Sequence, residues 1–95
     1  MDAEWSLATT EQKLVDAIVS VVGGRIARET ITSQSRLIDD LSMSSIELLK
    51  LMLACEQELG VSPADDDDLA ETLSTVGRAA KALHALRRSA ARVPT

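Results

Sequence analysis

The apolar positions of this chain recur at helical spacing in three stretches. The first stretch opens with Thr9 and Gln12, which have the spacing of a capping box. Its apolar face consists of Leu14, Ala17, Ile18, Val21 and Val22. Polar residues fill the opposite side, so the pattern predicts an amphipathic helix, which Gly23-Gly24 is expected to end.

A second helix is predicted from about Ser45 to Leu59, ending at Gly60. Ser44 is its expected N-cap, with Glu47 as the capping-box partner. A continuous apolar arc predicts six core residues: Leu48, Leu49, Leu51, Met52, Cys55 and Leu59. Two further aliphatic residues border the polar face instead, Ile46 and Leu53. They are either a small partner-docking patch or two incidentally exposed side chains.

The remaining segments complete a small helical domain. An acidic-started short helix or turn is expected from Asp65, and either Ser74 or Thr75 satisfies the cap position of a last helix. The core face of that last helix is predicted to be Val76, Ala79, Ala80, Leu83 and Leu86. The long connection 25–43 is expected to pack across the core through Ile26, Ile31, Leu37, Ile38 and Leu41.

We therefore predict an all-α fold, a small antiparallel four-helix bundle with three main helices and a short third one. Residues 1–8 are expected to form a loose lead, residues 9–87 the domain, and residues 88–95 a frayed tail.

Length and composition restrict the possible functions. A chain of 95 residues makes one domain whose stability leaves little room for a deep cavity with buried charged groups, so no enzyme is expected. Trp5 is the only aromatic residue, which removes the stacking surface that single-stranded nucleic acids need. All 15 acidic residues precede Arg78. This acidic body disfavours nucleic acid and anionic membranes and favours basic protein partners.

The usual reactive residues give little support for catalysis or metal binding. The only cysteine, Cys55, lies on the predicted buried arc, so a catalytic pair with His84 is not expected. The run from Asp65 to Asp68 lacks the alternating pattern of a calcium loop, and no metal site is predicted. One cysteine cannot form an internal disulfide, and neither a signal-peptide pattern nor a long apolar run is evident. A cytoplasmic monomer is expected.

Ser45 remains as a candidate site. If Ser44 caps the helix, Ser45 occupies the first helical position with its hydroxyl pointing away from the core. A phosphate ester there would lie beside unsatisfied backbone N–H groups and the positive end of the helix dipole. Serine is also a common helix-start residue, so its position alone leaves both interpretations open.

One stretch resembles the acyl carrier protein signature, an acidic-Leu-Gly-x-Asp-Ser-Leu pattern whose Ser carries 4'-phosphopantetheine. This stretch is Leu37-Ile38-Asp39-Asp40-Leu41-Ser42-Met43-Ser44-Ser45-Ile46-Glu47-Leu48. The resemblance continues in Glu56-Gln57-Glu58-Leu59-Gly60-Val61 and Ser74-Thr75-Val76-Gly77, and it covers about residues 9–87. It implies covalent 4'-phosphopantetheine on Ser45, which would carry an acyl or aminoacyl group as a thioester. The implied partners are a phosphopantetheinyl transferase and acyl-loading and chain-processing enzymes of the ketosynthase, acyltransferase or ligase type.

The chain departs from this pattern in two respects. Ser42 and Ser44 replace the motif's Gly and Asp, and Lys50 stands where a carboxylate is usual on the docking helix. The expected partner-docking residues are Asp39, Asp40, Ser44, Ile46, Glu47, Lys50, Leu53 and Gln57.

The motif favours an acyl over a peptidyl carrier, and the atypical residues favour polyketide or related natural-product synthesis over fatty-acid synthesis. A peptidyl or aminoacyl carrier, and an unmodified helical interaction module with the same fold, remain alternatives.

Overall fold

The computed structural model describes residues 6–92. This part of the chain forms four α-helices: α1 Leu7–Val22, α2 Ser45–Leu59, α3 Leu69–Thr72 and α4 Val76–Arg92. Short 3-10 turns lie at Gly23–Arg25, Arg28–Thr30 and Pro63–Asp65. Helix α1 packs against both α2 and α4. The predicted helical bundle, with three main helices and a short third one, is confirmed.

Helix α1 begins earlier than the sequence pattern predicted. Ser6 is its N-cap, and the Ser6 hydroxyl accepts a hydrogen bond from the Thr9 N–H at 3.1 Å. The predicted Thr9–Gln12 capping box is therefore wrong, and residues 6–8 belong to the cap and first turn of α1. The rest of the predicted lead, residues 1–5, lies outside the described residues.

The other helix ends follow the predictions more closely. Gly23 ends α1 with a φ of 65°, and Gly60 ends α2 in the left-handed conformation, with a φ of 78°. Thr75 rather than Ser74 caps α4, because its hydroxyl accepts from the Arg78 N–H at 3.1 Å. Helix α4 continues to Arg92, past the predicted start of fraying at residue 88.

The core is aliphatic and draws on all three long helices. Its fully buried members include Leu14, Ile18, Leu37, Leu51, Cys55, Val76, Ala79, Ala80 and Leu83. Two predicted core residues are instead exposed: Leu49 is 54% exposed and Ile38 is 59% exposed. Leu49 lies three residues after Ile46 and four before Leu53, so it shares their outward face of the helix rather than the core face.

The connection between α1 and α2 is held against the start of α4 by backbone hydrogen bonds. The Val76 N–H donates to the Ser35 carbonyl at 2.9 Å, and the Gly77 N–H donates to the Ser33 carbonyl at 2.7 Å. The connection also contributes buried side chains to the core: Ile31, Leu37, Leu41 and Met43. The prediction that it packs across the core is confirmed, with Ile38 as the exception.

Gly77 marks the closest approach of this connection to α4, and it provides a test of the arrangement. A Cβ atom at residue 77 would lie 3.0 Å from the Ser33 carbonyl oxygen and 3.3 Å from the Ser33 Cβ. Gly77→Ala should lower the free energy of unfolding by about 1 kcal/mol in urea denaturation, because the crowding outweighs the better helix propensity of alanine.

Gly24→Ala is the matched control, since a Cβ atom at residue 24 would meet nothing within 4 Å. It should leave the stability unchanged or slightly raised. An equal loss in the two variants would contradict the close approach.

Candidate functional site

A capping box fixes the start of α2. The Ser44 hydroxyl accepts from the Glu47 N–H at 3.1 Å, and the Glu47 carboxylate accepts from the Ser44 N–H at 3.0 Å. Both predicted partners are thus confirmed, and Ser45 is the first residue of the helix. The hydroxyl of Ser44 is engaged in this cap, whereas that of Ser45 is not.

Arg25, in the 3-10 turn that follows α1, contacts the cap of α2. Its Nη2 donates to both carboxylate oxygens of Glu47, at 2.8 and 2.9 Å, and its Nη1 donates to the Leu41 carbonyl at 3.1 Å. The hydrogen bond from the Ser44 N–H and then the one from Arg25 lower the pKa of Glu47 from its ordinary value of 4.5. The carboxylate therefore stays ionised, and keeps both contacts, into mildly acidic conditions.

The chain enters α2 through a left-handed turn at Ser42. Its φ is 53°, and among the described residues it is the non-glycine residue with a positive φ. Its neighbours Leu41 and Met43 are both buried, while Ser42 is exposed. An L-residue in this conformation costs about 1 kcal/mol, which explains why glycine suits the position.

Ser45 is exposed, and its hydroxyl has no hydrogen-bond partner among the described residues. The first intrahelical bond of α2 runs from the Leu48 N–H to the Ser44 carbonyl at 2.9 Å. Earlier N–H groups in the turn therefore have no acceptor four residues back in the helix. A phosphate ester on Ser45 would lie at this positively polarised end, so the residues present fit a phosphate-linked group.

The predicted docking residues surround Ser45 at the surface. Glu47 is half-buried and the others are exposed: Asp39, Asp40, Ser44, Ile46, Lys50, Leu53 and Gln57. Ile46 is 65% exposed and Leu53 is 54% exposed. The structure thus confirms that both aliphatic side chains are exposed, and their role as a docking patch stays a prediction.

Both aspartates before the turn contact Arg36. The guanidinium of Arg36 lies 3.6 Å from the Asp39 carboxylate and 3.4 Å from that of Asp40. The Arg36 N–H also donates to Asp40 at 2.8 Å, and this bond is the main cause that lowers the pKa of Asp40. Both carboxylates are therefore partly neutralised within the chain.

Sequence reasoning missed three residues that belong to this region. Leu49 extends the exposed aliphatic face of α2, and Ile38 adds an exposed aliphatic side chain in the preceding connection. The spacing of Ile46, Leu49 and Leu53 was the available signal for Leu49. Arg25 had no local signal, because its carboxylate partner lies far away in the sequence.

Cys55 is poorly suited to act as a nucleophile. Burial raises the pKa of the Cys55 thiol to about 12, so this residue stays protonated near neutral pH. The His84 Nδ1 lies 3.2 Å from the Thr10 hydroxyl oxygen. Across residues 6–92, no group of three or more His, Cys, Asp or Glu side chains is arranged to hold a metal ion. In the same range, no helix is long and apolar enough to cross a membrane.

Residues 12–83 match the family model described as the phosphopantetheine attachment site. The acyl carrier protein of Syntrophobacter fumaroxidans is 33% identical over 70 residues, which covers 74% of this chain and 82% of the relative. The acyl carrier proteins of Rickettsia canadensis and Rickettsia rickettsii are each 30% identical over 66 residues, which covers 67% of this chain and 77% of each relative.

The chain belongs to the acyl carrier protein family. Members of this family are carriers rather than enzymes, and their cofactor is covalently attached 4'-phosphopantetheine. As a family member, this carrier protein interacts with a phosphopantetheinyl transferase and with biosynthetic enzymes.

The two adjacent serines of the carrier protein should differ in their effect on stability. Ser44→Ala should lower the free energy of unfolding by about 1 kcal/mol, because the Glu47 N–H loses its acceptor. Ser45→Ala should leave stability unchanged or slightly raised, because its hydroxyl bonds no described residue and alanine favours helices. Urea denaturation of the unmodified proteins measures both effects. A larger loss for Ser45→Ala would contradict the assignment of the cap.

The Glu47 interactions should make the carrier protein less stable in acid. The pKa of Glu47 is lower in the folded chain than its ordinary value of 4.5. Its contribution is therefore fully present above that ordinary value and is lost as the pH falls through the lowered folded value.

Glu47→Gln should consequently be less stable than the wild type near pH 7, and the difference in the free energy of unfolding should narrow as the pH falls below the ordinary Glu47 pKa of 4.5. Glu58→Gln, at an exposed position of the same helix, controls for the loss of a charge. A difference in the free energy of unfolding between the wild type and Glu47→Gln that stays constant across the pH range would contradict the role given to Glu47.

Proposed function

We propose that Ser45 is the residue that carries 4'-phosphopantetheine. The observation that supports this most directly is an exposed, unbonded hydroxyl at the first position of α2, beside a neighbour whose hydroxyl is engaged in the cap. Ser42 is also exposed, but it lies in the turn before the helix and not on its first turn. Ser45 therefore combines access for a modifying enzyme with the helix end that best tolerates a phosphate charge.

The protein supplies position and electrostatics to this attachment point. The Ser45 Oγ would lose its proton and bond to phosphorus as a phosphoanhydride P–O bond of the phosphopantetheine donor breaks and the rest of the donor leaves. The negative charge on the resulting phosphodiester would lie near the N-terminal turn of α2. The cap made by Ser44 and Glu47 holds that turn in place. When bound, the cofactor supplies a terminal thiol on which an acyl group is carried as a thioester.

The cargo is proposed to be an acyl group, and the pathway to be polyketide or related natural-product synthesis. The relatives named above as acyl carrier proteins support an acyl over an aminoacyl cargo. Ser42, Ser44 and Lys50 differ from the usual carrier pattern around the attachment point, which supports a specialised pathway over fatty-acid synthesis.

The proposed partners are a phosphopantetheinyl transferase, followed by loading and chain-processing enzymes of the ketosynthase, acyltransferase or ligase type. They would dock on the surface around Ser45 that includes Asp39, Asp40, Ser44, Ile46, Glu47, Lys50, Leu53 and Gln57. A cytoplasmic location stays a prediction.

Intact mass spectrometry after co-expression with a broad-specificity phosphopantetheinyl transferase tests the attachment site. The wild type should gain one phosphopantetheine, and Ser45→Ala should gain none. Ser42→Ala and Ser44→Ala are the matched controls, and both should still be modified. Loss of modification in Ser44→Ala alone would move the site by one residue, and no gain in the wild type would support the unmodified interaction module.

A further inference from the structure

The carboxylate nearest to Ser45 along the chain belongs to Glu47. It accepts from the Ser44 N–H at 3.0 Å, so a negative charge lies at the backbone of the residue directly before Ser45. A phosphodiester on Ser45 would bring a second negative charge to the same turn of helix. Because like charges repel, the cap that holds this turn also opposes the charge of the attached group.

Arg25 brings a positive charge to the same cap from outside the helix. Its Nη2 lies 2.8 and 2.9 Å from the two Glu47 carboxylate oxygens, and its Nη1 donates to the Leu41 carbonyl at 3.1 Å. The bond to Leu41 holds the guanidinium against the turn that leads into α2. The Arg25 and Glu47 side chains are 40% and 22% exposed, so solvent and salt screen this pair less than a fully exposed one.

Other charged groups of this region are placed less directly. Asp39 and Asp40 share Arg36, whose guanidinium lies 3.6 and 3.4 Å from their carboxylates. Lys50 is exposed on the second turn of α2. Three carboxylates therefore face three cations here, and of these cations Arg25 is the one that hydrogen bonds to the carboxylate of the cap.

We propose that Arg25 is a positioning residue for the attached phosphodiester, because its positive charge balances the Glu47 carboxylate at the turn that bears Ser45. The proposal rests on Ser45 as the attachment site. The phosphodiester is attracted by Arg25 and repelled by Glu47, and in the wild type these two interactions largely cancel. Removing either side chain leaves the other interaction in place, so the two removals have effects of opposite sign on the modified protein.

Urea denaturation of the unmodified and the phosphopantetheine-bearing forms, at about 25 mM NaCl, tests this. The measured quantity is the unfolding equilibrium constant of the modified form divided by that of the unmodified form. Relative to the wild type, Arg25→Gln should raise this ratio about two- to threefold, because the repulsion by Glu47 is no longer offset. Glu47→Gln should lower the ratio by a similar factor, and the double variant should return it to the wild-type value.

Two further variants serve as controls. Arg25→Lys keeps the charge but loses the fork of donors, so it should destabilise both forms alike and leave the ratio near the wild-type value. Lys81→Gln removes a positive charge from an exposed position of α4, and it should not change the ratio. At about 500 mM NaCl the shifts in Arg25→Gln and Glu47→Gln should shrink, because salt screens charges at the surface.

The possible failures are distinguishable. A purely structural role of the pair predicts equal losses in the two forms, so a ratio that Arg25→Gln leaves unchanged would overturn the proposal. Shifts of the same sign in Arg25→Gln and Glu47→Gln, or shifts that high salt does not reduce, would also overturn it while the attachment site stands. Modification that persists in Ser45→Ala would overturn the attachment site instead.

Discussion

The Glu47 carboxylate makes the interaction on which the site depends. It accepts from the Ser44 N–H and from the Arg25 guanidinium, and Arg25 also donates to the Leu41 carbonyl. One side chain therefore joins three segments that are separate in sequence. They are the 3-10 turn after α1, the turn before α2 and the first turn of α2. A surface ion pair alone contributes little to stability, but here Arg25 Nη2 donates to both Glu47 oxygens, and both side chains also form hydrogen bonds with the backbone. The position of Ser45 thus follows from contacts that do not involve Ser45 itself.

A second constraint keeps the outward face of α2 available. The backbone of the connection before α2 forms hydrogen bonds with the start of α4, where Gly77 allows a close approach. Its buried side chains join the core that α1 and α4 share. Helix α2 packs on α1 and on the Pro63–Asp65 turn, and the side carrying Ile46 and Leu53 stays exposed. The fold thus presents the attachment point and its flanking surface together.

Local pattern predicted the helices well, and it failed where distant neighbours or competing caps decide the outcome. Ser44 and Glu47 were predictable because a capping box is contained within four residues. At α1, Ser6 and Thr9 both satisfy the cap pattern, and the earlier cap prevails because it adds the helix-forming residues Leu7 and Ala8. Leu49 lies at the edge of the apolar arc, and whether such a residue is buried depends on what packs beside it. The contact of Arg25 with Glu47 joins positions 22 residues apart. The spacing of apolar and polar residues within a helix cannot predict such a pair.

Whole-chain charge and local charge act over different distances in this carrier. The net charge of -5 attracts basic proteins over distances comparable to the screening length, about 8 Å at physiological salt. At short range the groups beside Ser45 matter instead: Lys50, the exposed aliphatic residues of α2, and three carboxylates that share two arginines. Long-range attraction therefore affects the rate of encounter, whereas we expect the local arrangement to affect how long a partner stays bound. Two carriers with the same net charge and the same attachment serine can for this reason differ in partner, because the pairing of charges around the serine is a property of the folded chain rather than of its composition.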